Sequence, residues 1–204
     1  MNIMRSSIAV LIAAGLFAGN SASAQDAWNL AKDADGIQVY VRSVADSPLR
    51  EFRGEVQVRA KLEHVVLALR DAGAFRKWMP DVITSDLLKS SDTEQYHYLE
   101  NKAPWPVSNR DGVYRFGYSR PADGVVVVSV EAVPNLVPLR EGRVRIPLAE
   151  GQWRLVSNAD GVGVSYQMHA SPGGAIPSWL ANQAVVDTPY GTLKALRARV
   201  QADH

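Results

Sequence analysis

From Val82 to His169 the chain offers one extended segment after another, and from Ser178 to Ala202 a single stretch of helical periodicity. That order limits the fold more than any other feature. Seven strand candidates occupy the first region, at residues 82–88, 94–101, 110–118, 125–133, 143–148, 151–156 and 162–169. Asp-Gly and Gly-Gln breaks separate several of them, which suits antiparallel neighbours joined by tight turns. Two more strands precede this region. In one, Ile37, Val39 and Val41 alternate with polar residues; in the other, Phe52, Gly54, Val56 and Val58 share one face and Glu51, Arg53, Glu55 and Gln57 the other. Residues 26–34 read as a short helix with Asp26 as its N-cap. Leu62, Val65, Val66 and Leu69 have helical spacing, and a short helical or turn segment with Phe75 and Trp78 follows before Pro80.

The final segment carries Leu180, Val186, Tyr190, Leu193, Leu196 and Val200 at helical intervals. Pro177 fits its first turn, and Pro189 is expected to bend it. Nine antiparallel strands cannot stay flat, because their twist accumulates, and their apolar face must be covered. The terminal helix, about 40 Å long at 1.5 Å per residue, is the one element long enough to cover it. The predicted fold class is therefore α+β, a curved antiparallel sheet wrapped around a long C-terminal helix. The gap between them would be lined by the inward parity of the strands, and a mostly apolar pocket suits an apolar ligand.

Composition removes several functions. The chain has no cysteine, so it has no disulfide, thiolate metal site or cysteine nucleophile. His64, His97, His169 and His204 are not at metal-ligand spacing, and neither a metal nor another cofactor is expected. The formal charge is +1, with no clustered positive excess for nucleic acid. Arg5, the apolar run from Ile8 to Ala18 and Ala22-Ser23-Ala24 read as a signal peptide over residues 1–24, with one domain over residues 25–204. The run is too short to span a bilayer. The expected location is periplasmic or secreted after cleavage near Ala24. Removing Arg5, the one charged residue in that segment, brings the net charge to zero.

The stretch from Glu100 to Asp111 reads E-N-K-A-P-W-P-V-S-N-R-D. It resembles the Pro-aromatic-Pro…Asn-Arg-Asp turn of the START family, the steroidogenic-acute-regulatory-related lipid transfer domains. The resemblance extends in order along the chain. It takes in Trp28, Asp35-Gly36-Ile37, the segment from Glu51 to Val56, Trp78, Gly151-x-Trp153, Tyr166, Pro172-Gly173-Gly174 and Ile176-Pro177-x-Trp179-Leu180-x-Asn182. It implies a helix-grip fold and a lipid-binding, non-enzymatic role.

Pro104 and Pro106 cannot continue a central strand, so they mark a loop or edge. Trp105 between them is expected to pack against the sheet rim, the alternative being exposure at a pocket mouth. Arg110 shares parity with Tyr114, Phe116 and Tyr118. If those aromatics face inward so does its guanidinium, which then needs acceptors; Glu131 or Glu100 is the expected partner, and Asp111 has the wrong parity. A fold-fixing ion pair and a contact with a ligand head group are both open for Arg110. His97 could face either side. His169 is expected at the rim, and Arg143 and Arg145 as solvated charges, unless the curled sheet turns one inward. The ligand-binding candidates are Arg110, His97, Tyr114, Phe116, Tyr118, Met168, Val186 and Tyr190. The expected partner is a lipid or other hydrophobic small molecule, with transient membrane contact and no nucleic acid. The function read from this is a lipid carrier or transfer protein of the bacterial envelope. The competing reading is a cyclase- or dehydratase-like helix-grip enzyme in which His97, Tyr114 and Arg110 move a proton on an apolar substrate.

Overall fold

The structure, a computed structural model, describes residues 27–202. The expected signal peptide, its cleavage site and the Asp26 cap lie outside those residues.

The chain opens with a β-hairpin, β1 (Asn29–Ala34) and β2 (Ile37–Arg42). The helix expected at residues 26–34 is therefore a strand. Asp35 and Gly36 both adopt positive φ, 54° and 67°, and Ala34 pairs directly with Ile37 across them. A two-residue turn of this kind matches the twist of paired strands, and it overrides a weak local preference for helix.

β3 (Glu51–Val58) follows, then α1 (Leu62–Arg70), a short 3-10 turn and α2 (Phe75–Trp78). The remaining strands are β4 (Val82–Ser90), β5 (Glu94–Asn101), β6 (Asn109–Ala122), β7 (Val125–Ala132), β8 (Arg143–Arg145), β9 (Leu148–Asn158) and β10 (Gly161–Ser171), and α3 (Ser178–Gln201) ends the chain. Nine strands form one path in the order β1-β2-β3-β10-β9-β7-β6-β5-β4, and β8 joins the edge of β6. All neighbours are antiparallel except β8, which runs parallel to β6. The strand expected over residues 143–148 stops at Arg145, next to the Ile146-Pro147 step. Pro147 has no N–H for a ladder, and β9 starts after it.

One face of the curled sheet carries Ile37, Val39, Phe52, Val56, Phe116, Val128, Trp153, Leu155 and Val164, all buried. α3 lies on this face, principally against β2 and β3, and α1 and α2 flank it. Gly54 allows the close approach: a Cβ there would sit 2.6 Å from Leu193 Cδ1 and 3.4 Å from Pro189 Cβ. Pro189 lies inside a helix that runs without interruption from Ser178 to Gln201, and its ring is buried against the sheet. The fold is the curved antiparallel sheet gripping a C-terminal helix that the periodicity predicts.

Candidate functional site

The two halves of α3 differ in packing. From Pro189 onward the helix buries Pro189, Thr192, Leu193, Leu196 and Val200, whereas no residue from Trp179 to Thr188 is buried. Strand register locates what faces the uncovered half. Met168 pairs with Phe52, so Ala170 lies level with Arg50, whose backbone N–H donates to Asn182 Oδ1 of α3 at 3.3 Å. Ala170 pairs with Ala149, and Tyr114 pairs with Ala132 one step beyond the Glu131–Glu150 pair. The inner face therefore has a row of alanines at this level, where most other inner positions carry larger aliphatic or aromatic side chains. Gly112, on the same face, continues the small surface toward Arg110.

Two tyrosines border this row. Tyr114 folds back over Gly112, where a Cβ would meet its hydroxyl at 2.3 Å. Tyr166 stacks on Trp153 with ring centroids 3.8 Å apart and meets Phe52 edge-on at 5.0 Å. Burial pushes both phenols well above the ordinary tyrosine range. Yet both residues keep some accessible surface, as do Ala132 and Ala170.

The polar candidates are distributed around this region. Arg110 is 7% exposed and lies under the Gly173–Gly174 loop. Its guanidinium donates to the carbonyls of Ser108 and Gly173, and its Nε has no partner. The ion pair expected with Glu100 or Glu131 does not form. Glu100 sits opposite Asp111 in the β5–β6 ladder, so the two carboxylates share the outer face. Glu100 binds Arg143 Nε at 2.8 Å, and Glu131 binds Arg115 Nη2 at 2.6 Å.

Arg145 is not solvated. It grips Asp111 through both carboxylate oxygens, at 3.0 and 2.9 Å, and donates to the carbonyls of Pro134, Val137 and Pro138. The β7–β8 loop thus covers the outer face at this end, and Arg145 is buried beneath it. Burial alone would raise the Asp111 pKa, but the Arg145 hydrogen bonds and charge outweigh it and hold the carboxyl below its usual range.

His97 faces inward and has no exposed surface. Its ring packs on Phe116 at 4.2 Å and Phe75 at 5.4 Å, Nε2 lies 3.3 Å from Gln95 Oε1, and Nδ1 has no partner. Burial, with a smaller contribution from the Arg70 charge, lowers its pKa to about 4, so the imidazole is neutral at pH 7. Tyr118 is occupied, its hydroxyl 3.0 Å from both the Leu69 carbonyl and Gln95 Oε1. Phe116 and Met168 are buried on the inner face.

Two candidates lie on α3, partly buried against the core. Tyr190 donates to Asp35 Oδ2 at 2.7 Å and fastens α3 to the tip of the first hairpin. Val186 lines an open depression beside Trp179 and Asn182. A second depression, of about 660 Å³, opens on the outer sheet face among Arg53, Gln57, Gln152, Arg154 and Gln167. His169, expected at the rim, is buried, with its Nδ1 unpartnered. Sequence reasoning missed Tyr166 as a site residue, together with the small-residue row. The available signal was alanine or glycine at the inward positions of strands that are otherwise bulky.

The loops at the Arg110 end carry exposed apolar side chains. Trp105 is 92% exposed rather than packed on the rim: Val107 N–H donates to the Pro104 carbonyl, and this turn holds the ring away from the sheet. Leu136, Leu139 and Trp179 are exposed too. Asn109 ties the Trp105 loop to Glu100, Arg145 gathers the β7–β8 loop, and Arg110 reaches the Gly173 loop, so three loops meet at this end. Among the described residues no group of histidine and acidic side chains could hold a metal ion, and no helix is long and apolar enough to cross a membrane.

Comparison with known proteins fits this architecture. The crystal structure of a STAR-related lipid transfer protein from Xanthomonas axonopodis is 69% identical; the match covers 86% of this chain and 99% of that one, with a TM-score of 0.83. An uncharacterized protein of Pseudomonas aeruginosa is 38% identical over 94% of this chain and 95% of its own length. The phosphatidylcholine transfer protein of Rattus norvegicus is 31% identical over 87% of this chain and 85% of its own. The fold alone is shared with the Zhui aromatase/cyclase of Streptomyces, at 14% identity and a TM-score of 0.54, over 74% of this chain and 93% of that one. The START domain model aligns with residues 13–203, nearly the whole sequence, and with the grip geometry this establishes that the chain belongs to the START domain family.

Proposed function

We propose that the protein binds a hydrophobic, lipid-like molecule between the inner sheet face and the first half of α3, and carries it within the bacterial envelope. One observation carries this reading: Tyr114 and Tyr166 lie deep enough to be strongly desolvated, yet they, Ala132 and Ala170 keep accessible surface. Side chains that combine depth with accessibility border internal space. Small residues leave that space open, and the uncovered half of α3 does not fill it. Sheltering a guest there is worth about 0.8 kcal/mol per methylene, which supplies affinity without a charged contact. The names of the Xanthomonas and rat relatives support lipid transfer, and the expected signal peptide supports export.

Entry needs a movable cover. The first half of α3 and the preceding loop suit that role, because Gly173 and Gly174 hold positive φ and Arg110 fastens the loop through one carbonyl. The exposed Trp105, Trp179, Leu136 and Leu139 give this end an apolar rim suited to a bilayer surface, where tryptophan is favoured. A proton-transfer role for His97 has no support in its sealed position. The test is extraction of the protein purified from its native envelope, followed by mass spectrometry. A stoichiometric lipid, with transfer of that lipid between vesicles, is the expected result; an extract free of lipid and no transfer would reject the reading.

A further inference from the structure

The inner face treats its tyrosines unequally. The Tyr118 hydroxyl is satisfied by Leu69 and Gln95, but those of Tyr114 and Tyr166 have no hydrogen-bond partner among the described protein groups, although both rings are held firmly. Tyr166 is fixed by Trp153 and Phe52. Tyr114 is laid along the strand by the missing side chain at Gly112. The two phenols lie within electrostatic reach of each other, beside the alanine row. A guest that supplies an acceptor at this level would satisfy both hydroxyls, which a bare hydrocarbon would leave without a partner.

We propose that Tyr114 and Tyr166 make this interior selective for a guest with an uncharged oxygen acceptor, such as a ketone or ester, over a bare hydrocarbon and over a carboxylate. The selection against charge comes from the surroundings. The site is desolvated, which penalises a charged guest; the influences of Asp111 and of its ion-pair partner Arg145 on Tyr114 oppose each other. Arg110 does not reverse this, because its guanidinium is engaged by the carbonyls of Ser108 and Gly173 at the end of the sheet.

This rests on the interior being a binding site, and the experiment separates the two. The protein, purified as the cell processes it and stripped of lipid, is titrated with diphenylhexatriene, a fluorescent hydrocarbon with no polar group. Heptadecane, heptadecanone and heptadecanoate then compete for it. If the reporter does not bind, the binding interior itself is wrong and the inference falls with it. If it binds, the readout is the ratio of ketone to hydrocarbon affinity within each protein, so changes in general apolar affinity cancel. The expected ratio is about tenfold in the unaltered chain, falling about threefold in Tyr114→Phe and in Tyr166→Phe and disappearing in the double variant. Gly112→Ala, which displaces the Tyr114 hydroxyl without removing it, should lower the ratio as Tyr114→Phe does. The carbonyl stretch of the bound ketone should move to lower frequency in the unaltered chain and back in the double variant. A ratio unchanged by both phenylalanine substitutions, or tighter binding of heptadecanoate than of heptadecanone, would overturn the inference while leaving the binding interior intact.

Discussion

Enlarging an inward alanine gives opposite results for a hollow and a packed interior. Ala132 and Ala170 keep accessible surface on the inner face, whereas Ala149, in the same row, is 3% exposed. Leucine adds three carbons to alanine. At ~0.8 kcal/mol per carbon sheltered from water, Ala170→Leu in the lipid-free protein should stabilise the fold by about 2 kcal/mol if space is present. For a domain of this size that raises the melting temperature by about 4–8 °C. In an interior already packed to ordinary density, the same atoms would force neighbours off their rotamers and cost about 1–3 kcal/mol. Ala149→Leu is the internal control and should destabilise. Thermal unfolding of delipidated protein reads the sign, and mass spectrometry of co-purified lipid reads the function. Ala132→Leu and Ala170→Leu should both retain less lipid while melting higher. If both melt lower by the amount seen for Ala149→Leu, the interior beside these alanines is packed rather than hollow.

Four further outcomes are expected. The His97 pKa is depressed to about 4 from an unfolded value of 6.5, so its stabilising effect is complete above about pH 6.5 and is lost as pH falls toward 4. Urea unfolding across that window should show a loss of up to about 3 kcal/mol that His97→Phe lacks, and an identical pH slope in both proteins would exclude the effect. Gly54→Ala should cost about 1–2 kcal/mol through the Leu193 clash, and Leu193→Ala in the same chain should recover part of it; strictly additive losses would mean that α3 is not held at this contact. Amide exchange should be faster from Trp179 to Thr188 than from Leu193 to Val200, and faster still in Arg110→Met; a first half as protected as the second would deny it the role of cover. Trp105→Ser with Trp179→Ser should slow transfer between vesicles several-fold without moving the melting temperature, and an unchanged rate would remove these side chains from the membrane step.

Alternation made most of the sheet legible, because one buried face writes a period of two into each strand. The first strand was lost because a lone amphipathic segment looks the same in either period, and only the positive φ at both Asp35 and Gly36 decides it. The end of the sheet was harder. Parity excluded Asp111 as the partner of Arg110, but it could not show that the β7–β8 loop folds over the outer face. That cover buries Arg145 and gives Asp111 and Glu100 partners other than Arg110. Trp105 and His169 exchanged their expected environments for a similar reason: burial at a rim depends on which loop arrives there, and no local pattern records that. The site was half visible. Aromatic residues at inward positions stood out, whereas the alanines and glycine that make room beside them carry no signal until the strands are aligned across the sheet.

The pairing of β3 with β10 has a consequence for how the chain is made. Glu51 and Gln167, joined by a side-chain hydrogen bond across this seam, are separated by 116 residues. A polypeptide growing from its N-terminus therefore holds β3 as an open edge until nearly everything else has been synthesised. Nothing local can complete the barrel-like wrap early, and contacts this distant slow folding. Under the export proposed above, that delay would be useful, since the nascent chain would stay threadable until its last strand emerges.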